Sequence, residues 1–228
     1  GLHAQYFALN GSSSIEPRAG FKLNVKENQS LSFGAGMHSQ MQPTYIYFSH
    51  LIDSNQKYIW HNHNLGFTRS IHNVLSYDWA VSQNLRVKAE AYYQYLYEAP
   101  VDIYPSSFSL LNQGSGFDRF FPDTLTNKGT GKNIGAEITI EKFFSKNYYF
   151  LFTTTLYESK YKGSDQVERF SAFSGGYVFN TLGGIEFKLG KGNKTMALDG
   201  KATLAGGNRY TPIDITASKI EKRPVYQE

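Results

Sequence analysis

Apolar and polar residues alternate strictly along segment after segment of this chain, and that period of two decides what it can fold into. In Arg86-Val87-Lys88-Ala89-Glu90-Ala91-Tyr92-Tyr93-Gln94-Tyr95-Leu96-Tyr97, one side carries Val87, Ala89, Ala91, Tyr93, Tyr95 and Tyr97. The other carries Arg86, Lys88, Glu90, Tyr92 and Gln94. Side chains of a strand point alternately to its two faces, so such a segment predicts a strand that is greasy on one face and charged on the other.

About nine such strands are expected, over residues 2–9, 15–25, 31–38, 67–80, 86–97, 133–143, 148–158, 173–189 and 195–204. The pattern is plain in Ala19, Phe21, Leu23 and Val25 against Arg18, Lys22 and Asn24, and in Ile134, Ala136, Ile138 and Ile140 against Asn133, Glu137, Thr139 and Glu141. Two places depart from it. Val74 falls on a polar face, and the segment from Tyr148 to Glu158 is apolar on both sides, which leaves its orientation open. Beyond Ala205 the chain reads as loop.

The connections are unequal. Short polar turns are expected after Val25, Val81, Phe144 and Leu189, whereas long irregular loops span roughly 39–64, 99–128 and 159–170. Short turns at one end and long loops at the other, joined by strands of about ten residues, are the signature of an all-β, antiparallel up-and-down transmembrane β-barrel. A soluble sandwich would scatter its loop lengths over both ends. Phe143-Phe144 and Tyr148-Tyr149-Phe150 flank the turn Ser145-Lys146-Asn147, where an aromatic girdle would lie at a membrane interface. The mean hydropathy of −0.43 fits a barrel, because half of each strand faces away from lipid and the loops are polar. No stretch approaches the run of about 18 apolar residues that a membrane helix needs.

Charge and cysteine content narrow the function classes. The net charge is +4, but basic residues alternate with acidic ones, and the densest cluster, Lys219-Ile220-Glu221-Lys222-Arg223, is mixed in sign. Nucleic acid is therefore not an expected partner. The absence of cysteine excludes disulfides, thiolate metal sites and cysteine nucleophiles. The chain begins at Gly1 already inside a strand-like pattern, which is read as a fragment whose targeting segment lies upstream.

No constellation of catalytic type emerges, so no catalytic residue, metal site or cofactor is expected. His61-Asn62-His63, with His50 and His72 nearby, is the set closest to a metal site, since i, i+2 spacing would place His61 and His63 on one side of a strand. No ligand set is completed beyond Asp53, and a polar loop is the simpler account. Asp53, Asp102, Asp118, Asp123 and Asp165 lie in loops without calcium-loop spacing. Glycine pairs such as Gly206-Gly207 match no phosphate loop and are expected at bends or close approaches. Ligand capture remains. Aromatic residues of the long loops are the candidate binding residues: Tyr45, Tyr47, Tyr58, Trp60, Tyr104, Phe117, Phe120 and Phe121. The competing reading is that they pack the loops onto one another.

Several stretches resemble the TonB-dependent outer-membrane receptors of Bacteroidetes-type bacteria. They are Glu90-Ala91-Tyr92-Tyr93-Gln94-Tyr95-Leu96-Tyr97 with Pro100-Val101, Asn127-Lys128-Gly129-Thr130-Gly131-Lys132-Asn133-Ile134-Gly135-Ala136-Glu137, Tyr157-Glu158-Ser159-Lys160-Tyr161-Lys162-Gly163-Ser164-Asp165, and Ala205-Gly206-Gly207-Asn208-Arg209-Tyr210-Thr211-Pro212-Ile213-Asp214. The resemblance covers most of the chain, with the pieces in matching order. It is to members that often carry an N-terminal carboxypeptidase-regulatory-like module. It implies location in the bacterial outer membrane, a plug inside a barrel of about 22 strands, and a TonB box that couples import to the inner membrane. It also implies outer-membrane lipid, TonB, a nutrient ligand such as an oligosaccharide or siderophore, and a surface lipoprotein as partners. Plug, TonB box and barrel-closing strands are not recognisable in residues 1–228, and the ending Tyr226-Gln227-Glu228 is not a closing strand. The chain is therefore expected to be a slice of a barrel. A passive porin-like channel and a soluble secreted β-sandwich binding module are the alternative readings.

Overall fold

The computed structural model describes residues 1–114, 122–190, 192–209, 212–223 and 225. Its strands are β1 (Leu2–Phe7), β2 (Ser12–Lys26), β3 (Gln29–Gln40), β4 (Leu51–Ile52), β5 (Tyr58–Ile59), β6 (Thr68–Ser82), β7 (Leu85–Asp102), β8 (Leu125–Ser145), β9 (Tyr148–Lys162), β10 (Glu168–Phe170), β11 (Tyr177–Leu189) and β12 (Lys194–Ala205). Helices α1 (Thr44–Tyr47) and α2 (Ile215–Glu221) and a 3₁₀ turn η1 (Leu110–Asn112) lie between or after them. Nine strands form one up-and-down antiparallel sheet in the order β1-β2-β3-β6-β7-β8-β9-β11-β12, with β10 added to β9 and β4-β5 a separate small hairpin.

Register carries the alternation across the whole sheet. On one face it aligns Phe21 with Phe33, Phe33 with Leu75, Leu75 with Ala91, Ala91 with Ala136 and Ala136 with Leu156. The same face continues through Tyr177 opposite Leu156 and Phe179 opposite Leu204. The segment whose orientation was open is settled by its neighbours. Phe150, Phe152 and Leu156 share the apolar face, and Tyr149, Leu151 and Tyr157 share the polar one. Among the described residues no second layer covers the apolar face. Phe21 is 61% exposed and Leu198 58%. A sandwich would bury these residues against a second sheet, so that expectation fails.

The polar face is cross-linked. Arg86 Nε donates to Asp78 at 2.9 Å, Lys88 and Glu90 lie 2.6 Å apart, and Thr155 Oγ1 donates to Glu137 at 3.0 Å. Tyr149 reaches over Gly184 to donate to Asp199 at 2.6 Å. Gly135 is needed for the same reason. A Cβ there would meet the Tyr92 hydroxyl at 2.5 Å, so the ring of one strand fills the space left by its neighbour.

The short turns fall where they were expected. Lys146 and Asn147 take φ of 52° and 68°, the left-handed conformation of a two-residue hairpin whose twist matches the strands. At the other end, several sequence expectations need correction: β8 already starts at Leu125 and not at Asn133, and β9 runs on past Glu158 to Lys162. Strand β7 continues through Pro100 because a bulge near Glu98, itself at φ 54°, absorbs the proline. The chain after Ala205 contains α2, capped by Asp214, whose carboxylate accepts from Ala217 N at 2.9 Å. Strand β11 starts at Tyr177, not Phe173, because Ser171 to Gly176 turns on itself through Ser174 N to Ser171 O.

Candidate functional site

The long connections meet at the end of the sheet away from the short turns, where they build the main buried cluster. Ile46, Tyr47, Leu65 and Leu125 form it, with Phe7, Tyr45, Phe108 and Leu110 against them. Residues from three distant stretches thus share one apolar centre, which fixes the loops as a platform. Asparagines staple it. Asn62 is 1% exposed; its Nδ2 donates to Asp123 O at 2.9 Å and its Oδ1 accepts from Leu125 N at 2.8 Å. Asn127 accepts from Gly66 N at 2.9 Å and donates to Glu98 O at 2.7 Å. Asn10 donates to Leu65 O at 2.8 Å.

An aromatic surface rises from that platform. The β4-β5 hairpin turns on Asp53, whose carboxylate accepts from the backbone of Asn55 and Lys57, both at 2.8 Å. The hairpin presents Tyr58, and Trp60 follows directly. His50 lies 4.6 Å from the Tyr58 ring and 5.1 Å from the Trp60 ring, and Phe48 meets Trp60 edge-on at 5.9 Å. Tyr58 is 55% and Trp60 45% exposed. Leu51, Ile52 and Ile59 are also exposed beside them. Four rings held by each other with their faces open to solvent can stack on a planar or ring-bearing ligand.

The candidate residues separate. Tyr58 and Trp60 come together in this surface, joined by Phe48 and His50. Tyr45 lines a cleft of about 270 Å³ between the first long loop and η1. Tyr47 is fully buried, and its hydroxyl accepts from Gln42 N at 3.0 Å. Burial pushes the hydroxyl's pKa up. Its ring thus serves the platform. Tyr104 is 76% exposed, away from the other rings. Phe117, Phe120 and Phe121, like Asp118 and the ending Tyr226-Gln227-Glu228, lie outside the described residues.

His61 and His63 occupy a turn, not a strand, so they do not share a strand face. His61 Nε2 donates to Pro122 O at 3.2 Å. Asp165 is also engaged. It accepts from Arg169 at 3.0 Å and from Val167 N at 3.1 Å, and the Arg169 hydrogen bond holds its carboxyl below the ordinary carboxylate range. Among the described residues no group of three His, Cys, Asp or Glu could hold a metal ion.

A larger cavity lies elsewhere and escaped the sequence reading. It measures about 740 Å³, and its lining includes the apolar-face row Phe33, Leu75, Ala91, Ala136 and Leu156 together with Tyr92 and Tyr157 of the other face and the loop residues Ser174 and Arg209. The signal in the sequence was the small pair Ala91 and Ala136, in a row whose other strands carry Phe33, Leu75 and Leu156.

No protein-family model matches the chain, and no curated protein sequence matches it. Among solved structures, it is similar to the FrpB iron transporter from Neisseria meningitidis (F3-3 variant), with a TM-score of 0.51 and 13% identity. The match covers 83% of this chain and 27% of that one. The shared feature is the fold, the up-and-down antiparallel sheet of an outer-membrane barrel protein.

Proposed function

We propose that the chain forms part of the β-barrel of a TonB-dependent outer-membrane transporter, and that its loop aromatics capture the nutrient it imports. One observation carries this reading: a continuous apolar face across nine strands, left open on one side of a sheet whose other side is polar. In water such a surface is a liability, and in a bilayer it is the surface that meets lipid. The likeness to an iron transporter supports a transporter barrel in general. Because the chain spans 27% of that protein, and β1 and β12 each pair on one side only among the described residues, closure is assigned to further strands. The plug and the TonB-coupling segment are likewise assigned to the rest of the protein. The finer attribution to receptors of Bacteroidetes-type bacteria rests on the strand and loop-base stretches quoted above.

In this arrangement the long loops face the exterior, and Phe48, His50, Tyr58 and Trp60 meet the ligand first. A surface lipoprotein would find its contact among exposed loop residues such as Tyr104.

Uptake by cells carrying the full-length protein tests the reading. The pair of changes Tyr58→Ala and Trp60→Ala is expected to reduce uptake of the cognate nutrient at least about tenfold, since stacking contributes about 0.5–1.5 kcal/mol per aromatic pair beyond burial. Expression and heat-modifiable migration should be unchanged. Uptake should also stop in cells lacking TonB. Continued uptake there would favour a passive channel instead.

A further inference from the structure

The apolar face ends in a basic cleft. Below it, β8 and β9 present Ile134, Ala136, Ile138, Leu156 and Phe152 outward. One step further from the short turns the same face carries Lys132 and Lys160, which the register sets directly opposite each other, and then Lys162 opposite Thr130. Like charges opposite one another across a ladder are destabilising. Two carboxylates relieve this in part. Glu168 lies 2.7 Å from Lys132, and Glu158 lies 2.9 Å from Lys160. Lys162 makes no ion pair among the described residues. A fourth cation, Arg209, stacks at 3.8 Å on Phe170, the ring that also receives Lys160 at 4.6 Å. Four cations thus face two carboxylates.

The lysines line a cavity of about 230 Å³ together with Tyr93, Tyr95 and Glu168. Its height is informative. From Tyr148, beside the short turn, to Lys160 the strand runs about 40 Å at roughly 3.3 Å per residue. Tilted about 40°, it rises about 30 Å, the thickness of a bilayer's hydrocarbon core. The cleft therefore sits at the polar boundary on the loop side, with tyrosines beneath it as at an interface.

From this placement we infer that Lys132, Lys160 and Lys162 form a binding site for the phosphate of a membrane lipid, whose chains lie along the apolar face below. This rests on the membrane reading above. The surplus positive charge is stabilised by an anion that the bilayer itself supplies, and the paired tyrosines pack against the first carbons of the lipid.

Native mass spectrometry of the full-length protein in neutral detergent tests this, with phosphatidic acid and diacylglycerol of identical chains as probes. Phosphatidic acid is expected to stay bound and diacylglycerol to be lost. The variant Lys160→Gln/Lys162→Gln, which keeps the Lys132–Glu168 pair, should bind phosphatidic acid about tenfold more weakly. Lys22→Gln on the polar face should bind as the native protein does. Equal retention by the double variant, or equal retention of diacylglycerol, would overturn the site. Displacement of the lipid by millimolar inorganic phosphate would assign the cleft to a free anion and overturn the lipid source. Heat-modifiable migration is scored on the same samples. Its loss in the native protein would bring down the membrane reading, and the lipid site with it, whereas intact migration without lipid selectivity overturns the site alone.

Discussion

Residue type and exposure part company in the loops. Tyr47 and Tyr58 look equivalent in the sequence, yet one is the centre of the loop core and the other an open ring. Truncation should separate them. Tyr47→Ala removes a fully buried aromatic and is expected to cost about 3–5 kcal/mol of local stability, read as rapid proteolysis of the loops in the membrane-bound protein. Tyr58→Ala should leave protease resistance unchanged. Asn62→Ala should resemble Tyr47→Ala more weakly, at about 1–3 kcal/mol, because it leaves the buried Leu125 amide unpaired. Acid should loosen a different loop. The Arg169 hydrogen bond depresses the carboxyl pKa of Asp165, so its contribution is present above the unfolded carboxylate value and is lost as pH falls through the folded one. Hydrogen exchange around Ser164 to Arg169 should therefore accelerate only in strong acid, and Asp165→Asn should remove that dependence. Neither the stapling asparagines nor the Tyr47 core was legible beforehand, because each joins residues far apart in sequence, 61 positions for the Asn62 and Asn127 bonds, that meet at the loop end. The pairing of Tyr58 with Trp60 was legible, being local.

At the scale of elements, the period of two was enough to place nine strands and four tight turns, because pleat and burial both repeat every second residue. It failed where local chemistry overrides periodicity. Pro100 reads as a strand breaker, but a bulge holds it in β7. The helix α2 escaped because seven residues carry too little amphipathic pattern, although Asp214 ahead of Ile215 is a fair capping signal. The strand of open orientation, β9, became assignable only through its partners β8 and β11. Two substitutions test the elements directly. Asn147→Val places a β-branched residue at φ 68° and should cost about 1–2 kcal/mol, while Asn147→Gly should be neutral. Gly135→Val drives a branched side chain into the Tyr92 ring and should cost about 1–3 kcal/mol by overpacking. Tyr92→Ala combined with Gly135→Val should recover part of that loss, since the coupling lies between the two strands. Urea unfolding of the protein in lipid vesicles reads all four variants.

At the scale of the molecule, everything turns on which solvent the apolar face meets. The two faces of one strand allow a test with internal control. Ile138 and Thr139 are adjacent in β8, near the middle of its length, and point to opposite sides of the sheet. If the apolar face lies in hydrocarbon, Ile138→Arg puts a charge near the bilayer midplane and should cost about 2–4 kcal/mol. Thr139→Arg then faces the hydrated side, flanked by Glu137 and Glu141 on the same strand and opposite Lys88, whose charge Glu90 meets at 2.6 Å, and should cost little. In a water-soluble protein with this open face the Ile138 change would be nearly neutral, because an exposed isoleucine gives up little on becoming arginine. The comparison needs no knowledge of the ligand or of the remaining strands. Unfolding of the two variants from lipid vesicles, referred to the unchanged protein, separates the outcomes, and equal stability of both would contradict the membrane assignment. The same measurement with Leu198→Arg and, on the polar face, Ala197→Arg opposite Glu186 extends it to β12 at the sheet's other end, where Leu198 is 58% exposed on the apolar face. A penalty at Ile138 but not at Leu198 would mean that β12 does not meet lipid at that height.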